Sequence, residues 1–240
     1  MAKSLISLSG GDIIERKEKK RKEMIKEPYF TLESIQQQAL GMLGRVKDFK
    51  RHRSKFKPER SALLILDMQR YFLEESSHAY IPSVKAIIPK IRELLQEYSV
   101  RELPVIFTRH LNSKEDAGLM AKWWGDLITE ENPLSEITPK LPAVGTVIEK
   151  SQYDAFYKTP LEKILRGKSV GQVVICGVMT HLCCETTARS AFVRGFEVFF
   201  VVDGTATYNE EFHWATLINL SHGFAFPILV REILTLLKNG

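Results

Sequence analysis

Ile175-Cys176-Gly177-Val178-Met179-Thr180-His181-Leu182-Cys183-Cys184 is the stretch that decides the fold. The apolar run Gly171 to Cys176 reads as a buried strand. It reaches a glycine turn and passes into residues with helical phase. Cys184 is in phase with Ala188, Ala191 and Phe192, at i+4, i+7 and i+8, so it reads as core packing. Cys183 lies one position off that face, towards the strand ends. Amides in the first turn of a helix lack intrahelical partners, so a thiolate or an oxyanion is stabilised there.

Working outward, the same alternation recurs. Ala62–Leu66, Pro104–Thr108, Glu197–Val202 and Phe226–Val230 are short unbroken apolar runs, and 144–148 is a weaker one. Runs of this kind suit parallel strands buried on both faces. Helical patterns lie between them. Ile88, Ile91, Leu94, Leu95 and Tyr98 share one face with Pro89 in the first turn, and Leu161, Ile164 and Leu165 follow Pro160. The expected fold is α/β: a three-layer α/β/α sandwich on a parallel sheet with right-handed crossovers. In such sheets sites form at the carboxyl ends of strands.

Two other strand ends carry unusual chemistry. Asp67 closes an apolar strand in Leu66-Asp67-Met68-Gln69. By itself it also reads as a helix N-cap. Lys150 follows Val147-Ile148 and leads into Ser151-Gln152-Tyr153-Asp154-Ala155-Phe156; by itself it also reads as a surface lysine. A cation near Asp67 would keep that carboxyl ionised despite burial.

The composition is ordinary for a globular chain of 240 residues, 44% hydrophobic and 26% charged. The net charge of +5 is uneven, with sixteen Lys/Arg against eight Asp/Glu in the first sixty residues. Mixed signs such as Glu15-Arg16-Lys17-Glu18-Lys19 read as a solvated helix surface rather than a nucleic-acid track. No run approaches the ~18 apolar residues of a membrane span, and no secretory signal is read at the N-terminus. Three cysteines, two of them adjacent, make no disulfide framework, which fits a reducing cytoplasm. Residues 1–58 read as a basic, partly helical extension, with a helix starting at Thr31 and burying Ile35, Leu40, Met42 and Leu43. Residues 59–240 read as the compact domain.

Gly177-Val178-x-Thr180-x-x-Cys183-x-x-x-Thr187-Ala188, with Asp67-Met68-Gln69 upstream and Lys150 leading into Asp154-Ala155-Phe156, resembles the isochorismatase-like cysteine hydrolases. That superfamily includes isochorismatases, nicotinamidases, N-carbamoylsarcosine amidases and ureide amidohydrolases. The resemblance covers roughly residues 60–235. It implies a six-stranded parallel sheet and a catalytic triad of Asp67, Lys150 and Cys183. It also implies a cis peptide at Val178–Met179, and an oxyanion hole made by the amides of Met179 and Cys183. The expected substrate pocket comprises Gln69, Phe72, His110, Trp123, Tyr153, Phe156 and Leu182. Family members form oligomers, so a homodimer or homotetramer is expected, with the extension packed on a neighbouring subunit.

Among the branches, the surrounding sequence is most similar to the isochorismatases. Those enzymes, however, usually have glycine where this chain has Cys183, and an arginine where it has Ala117. Both departures favour a small amide or ureide, hydrolysed through a thioester, over a vinyl ether. Glu74, Glu75 and His78 lack the spacing of a nicotinamidase metal cluster and read as solvated loop residues. No metal, cofactor, nucleic acid or membrane is expected as a partner. Two alternatives stay open: vinyl-ether hydrolysis by Asp67 and Lys150 without a thiol, and a catalytically silent binding scaffold.

Overall fold

The structure, a computed structural model, describes residues 24–49, 54–142 and 144–239. The mixed-charge helix read at residues 15–19 lies outside them. Six strands form one all-parallel sheet: β1 (Ser61–Leu66), β2 (Val105–His110), β3 (Thr146–Lys150), β4 (Gln172–Val178), β5 (Glu197–Ala206) and β6 (Phe226–Ile228). The spatial order is β3-β2-β1-β4-β5-β6. β1 and β4 are buried along their whole length, as unbroken apolar runs require when helices cover both faces.

The helices are α1 (Ile35–Arg45), α2 (Arg70–Leu73), α3 (Val84–Val100), α4 (Leu119–Trp124), α5 (Leu161–Gly167), α6 (Glu185–Val193), α7 (Glu210–Gly223) and α8 (Val230–Lys238). From β1 the chain moves outward to β2 and β3; from β4 it moves the other way to β5 and β6. Crossovers of one hand therefore place α3 and α6 on opposite faces. α3 packs against α8 and the central strands, and α6 packs against α7. The strand order reverses between β1 and β4, and the crevice beyond their carboxyl ends is the topological switch point.

Gly177 holds this switch point together. Its φ is +115°, and a Cβ there would meet the Leu66 carbonyl oxygen at 2.1 Å. Only glycine lets β4 lie this close to the residue before Asp67.

Several boundaries differ from the sequence expectation. α3 begins at Val84, so Pro89 is interior rather than in the first turn. Burial of Val84, Ala86, Ile87 and Ile88 carries the helix past the proline. Phe226–Val230 is strand only to Ile228, and Val230 opens α8. In α1 the buried residues are Ile35, Ala39, Met42 and Leu43, while Leu40 is exposed. Ser34, not Thr31, is the residue before the helix.

Residues 24–46, read as part of the extension, pack on the body of the same chain. Tyr29, Phe30, Ile35, Ala39, Met42 and Val46 share one hydrophobic core with the sheet. No helix among the described residues is long and apolar enough to cross a membrane.

Candidate active site

Four side chains from four strand ends meet at the switch point. Asp67 follows β1 with φ +50°. His110 and Lys150 are the last residues of β2 and β3 and lie opposite one another in register. Cys183 sits in a five-residue turn, Thr180–Cys184, between β4 and α6. That turn is wider than the α-helical turn expected: the Cys184 amide donates to the Met179 carbonyl five residues back, at 3.2 Å. The Val178–Met179 peptide before it is cis.

Asp67 and Lys150 are wholly buried, with the ammonium 2.8 Å from Asp67 Oδ2. Asp67 Oδ1 accepts from the Thr108 hydroxyl at 2.6 Å. Oδ2 accepts no conventional hydrogen bond among the described residues and faces the ammonium and the thiol. Lys150 Nζ also donates to the Gln152 carbonyl at 2.9 Å, approaches His110 Nδ1 at 3.2 Å, and reaches Cys183 Sγ at 3.5 Å.

Electrostatics fix the resting protonation. Burial alone would raise the Asp67 carboxyl, but the Lys150 ammonium outweighs it and holds the carboxyl below the usual range. Burial would likewise lower Lys150, and the Asp67 carboxylate raises it instead. The Cys183 thiol is pushed up by burial and by the Asp67 charge. The pair therefore rests as carboxylate and ammonium beside a protonated thiol. Burial and the adjacent ammonium lower His110 to about 4, so its ring is neutral at physiological pH. Its Nε2 lies 2.8 Å from Asn112 Oδ1, and Asn112 Nδ2 donates to the Ser151 carbonyl at 2.9 Å. This polarity puts the proton on Nε2 and leaves Nδ1 to accept from Lys150.

The flanking motif residues serve this geometry. Gln69 donates to the carbonyls of His110 and Ser135 and accepts from the His110 amide at 2.8 Å. It clamps the end of β2 and does not line a pocket. Asp154 accepts from the Ser190 hydroxyl at 2.7 Å, and the Ala155 amide donates to Thr187 Oγ1 at 3.0 Å. The loop after Lys150 is thereby tied to the helix behind Cys183.

Cys183 opens into a cleft of about 570 Å³, part of it continuous with solvent. Of the expected pocket residues, Phe72, His110, Tyr153 and Leu182 line it, together with Met179. Trp123 does not: it is 72% exposed, and its neighbour Trp124 takes its place, donating to Tyr153 Oη at 2.6 Å. Phe156 is not in the cleft either; it is buried, stacked on Phe196 at 5.9 Å. His78, read as a solvated loop residue, also lines the cleft. It lies 3.6 Å from Asp126, which accepts from the Tyr71 hydroxyl at 2.8 Å.

Asn112, Asp126, Tyr208 and the apolar Met120 and Ile128 also line the cleft and are not expected from sequence. Tyr208 had a readable signal, because it lies two residues beyond β5. Met120 comes from the short helix α4, and Asn112, Asp126 and Ile128 arrive on loops whose placement no local pattern encodes. Cys176 and Cys184 are fully buried in the core.

The family model for the isochorismatase domain matches residues 61–232. Nicotinamidase 3 of Arabidopsis thaliana is 43% identical over 174 residues, 70% of this chain and 84% of that protein. Enterobactin synthase component B of Escherichia coli K12 is 32% identical over 183 residues, 75% of this chain and 64% of that protein. This chain thus spans less than two thirds of the E. coli protein. A cysteine hydrolase from Pseudomonas syringae pv. phaseolicola superposes with a TM-score of 0.75 at 24% identity, covering 78% of this chain and 96% of that one. The pyrazinamidase of Pyrococcus horikoshii, solved in complex with zinc, gives 0.64 at 27% identity, covering 71% and 99%.

Asp67, His110 and Cys183 bring donor atoms within 4.8 Å of one another, as a metal would need. The Lys150 ammonium, however, already touches all three. A divalent ion there would share its donors with a fixed positive charge, so these residues do not suit a metal. The apposition of Asp67, Lys150 and Cys183 at the switch point, together with the matched domain, shows that the chain belongs to the isochorismatase family of hydrolases.

Proposed function

We propose that this hydrolase uses Cys183 to cleave the C–N bond of a small, neutral, planar carboxamide of the nicotinamide class. The observation that carries this reading is a protonated thiol between a buried ammonium and a buried carboxylate, at the floor of a cleft lined largely by aromatic rings. Among the lining residues one is a carboxylate, Asp126, and none is Arg or Lys. Such a lining suits a flat uncharged ring and repels a substrate bearing carboxylates. The likeness to Nicotinamidase 3 supports the same class.

In this mechanism Asp67 Oδ2 takes the Cys183 proton, and the thiolate attacks the amide carbon. The oxyanion is held by the backbone amides of Met179 and Cys183. The tetrahedral species collapses as Asp67 returns the proton to the departing nitrogen, giving ammonia and a thioester. Water then loses a proton to Asp67 and attacks the thioester. The thiolate leaves, recovers that proton, and a carboxylic acid is released.

Vinyl-ether hydrolysis of the isochorismatase kind, by Asp67 and Lys150 alone, is the competing reading, favoured by a 30% likeness over 189 residues to the isochorismatase of Bacillus subtilis. The two readings differ at one atom, Cys183 Sγ. Assay of nicotinamide and isochorismate should give ammonia from the first, and Cys183→Ala should lower that rate about a thousandfold or more. Mass spectrometry after hydroxylamine trapping should detect the hydroxamate of the acyl group. Amide turnover surviving in Cys183→Ala would end the covalent mechanism; isochorismate turnover surviving in it would establish the competing one.

A further inference from the structure

The matched domain begins at residue 61, yet residues 24–30 run across the carboxyl end of β5 and touch two walls of the cleft. Their backbone and side chains are tied down at several points. The Glu27 amide donates to the Tyr208 carbonyl at 2.8 Å, and Asn209 Nδ2 donates to the Ile25 carbonyl at 3.1 Å. Glu27 Oε1 accepts from the Glu210 amide at 2.9 Å. Tyr29 Oη accepts from the Thr207 amide at 3.0 Å and lies 2.8 Å from His213 Nδ1. Thr207 Oγ1 in turn meets His181, in the turn that carries Cys183, at 2.6 Å.

Lys26 makes the decisive contacts. Its ammonium donates to the His78 carbonyl and sits 4.5 Å from the centre of the Tyr208 ring. His78 belongs to the loop after β1 and Tyr208 to the end of β5, and both line the cleft. These walls are distant in sequence, and Lys26 bridges them from a third segment. Partial burial lowers its pKa, because the ammonium gives up part of its water.

We propose that residues 24–30 are part of the active-site wall and that Lys26 is a positioning residue that fixes the width of the substrate cleft. It does not touch the reacting atoms. It holds Tyr208 against the His78 loop, so its loss widens the approach to Cys183.

The test does not require the substrate to be known. Alkylation of Cys183 is followed by mass spectrometry with a small reagent, iodoacetamide, and a bulky one, N-phenylmaleimide. Cys176 and Cys184 serve as buried internal controls. Lys26→Ala should raise the bulky-to-small rate ratio about fivefold, the loss of one charged hydrogen bond and one cation–π contact, and Lys26→Arg should restore it. Ile35→Ala loosens the helix behind the segment without touching the wall, and should leave the ratio unchanged. An unchanged ratio in Lys26→Ala, or an equal rise in Ile35→Ala, would overturn the proposal. With an amide that the enzyme turns over, Lys26→Ala should raise KM more than it lowers kcat. If no amide is turned over, the alkylation ratio still decides the question.

Discussion

Asp67 and Asp203 are both buried carboxyl groups, one just beyond a strand and one within a strand of the same sheet, and their surroundings push them in opposite directions. Asp67 lies beyond β1 with an ammonium 2.8 Å away, and its carboxyl is held below the usual range. Asp203 lies within β5, where Oδ1 accepts from the Val230 amide at 2.8 Å at the start of α8. Burial pushes it up to about 6 in spite of that bond. Backbone amides, a helix terminus and the Lys90 charge do not offset desolvation there; a full counter-charge at contact does so at Asp67. The first carboxyl is therefore available as a base at neutral pH, and the second serves as a structural peg.

The most damaging way to break this contrast is to remove the counter-charge. Lys150→Met should turn Asp67 into a group like Asp203, with its carboxyl pushed up and protonated near neutrality. It could then no longer take the thiol proton. We expect kcat/KM to fall about a thousandfold at pH 7, the scale of a lost general base, with the residual activity rising as pH increases. Adding Asp67→Asn should recover stability, since an unpaired buried carboxylate costs more than a neutral pair, but not activity. Rate profiles against pH and thermal melts of the single and double variants measure both. An activity loss below tenfold, or an unshifted profile, would show that Lys150 does not hold Asp67 ionised.

A smaller effect separates charge from positioning. His110 is neutral above about pH 4, so it serves Lys150 as an acceptor and not as an acid or base. His110→Phe keeps a ring but removes both nitrogens. It should cost about tenfold in kcat, as the loss of an orienting partner typically does, with the pH profile between 5 and 8 keeping its shape. Disappearance of an ionisation near pH 6.5 in the variant would instead make His110 a proton carrier.

The contrast also explains what the sequence could reveal. β1 and β4 were legible because strands covered on both faces are unbroken apolar runs. β3 was faint because it is an edge strand with Val147 and Glu149 exposed, so Lys150 looked like a surface residue. Helical phase separates Cys183 from Cys184, although the turn that carries both is wider than α. Position alone distinguishes neither carboxyl: Asp67 also reads as a cap, and Asp203 stands in no motif. What decides each is a partner from another strand or helix, which no local pattern records. The same holds for Asp126 and the switch from Trp123 to Trp124. In α4, only six residues long between two glycines of positive φ, helical phase is too short to read.

The finest test acts on Asp203 alone. Its folded pKa of about 6 lies above the ordinary value of 3.8. The folded chain therefore binds a proton here that the unfolded chain releases between those values. Its stabilising contribution is complete below about pH 4 and is lost as pH rises through 6. A tenfold change in proton affinity is worth about 1.4 kcal/mol, so ionised Asp203 costs the fold on the order of 2–3 kcal/mol at pH 8. Asn can still accept from the Val230 amide and carries no charge. Asp203→Asn should thus melt higher than the native chain at pH 8, and the gain should shrink steadily towards pH 4. Using the difference between the two chains at each pH cancels every other titrating group, Asp67 included. A pH-independent difference would mean that burial of Asp203 is fully compensated and leaves its carboxyl at the ordinary value; a difference growing towards low pH would place it with Asp67.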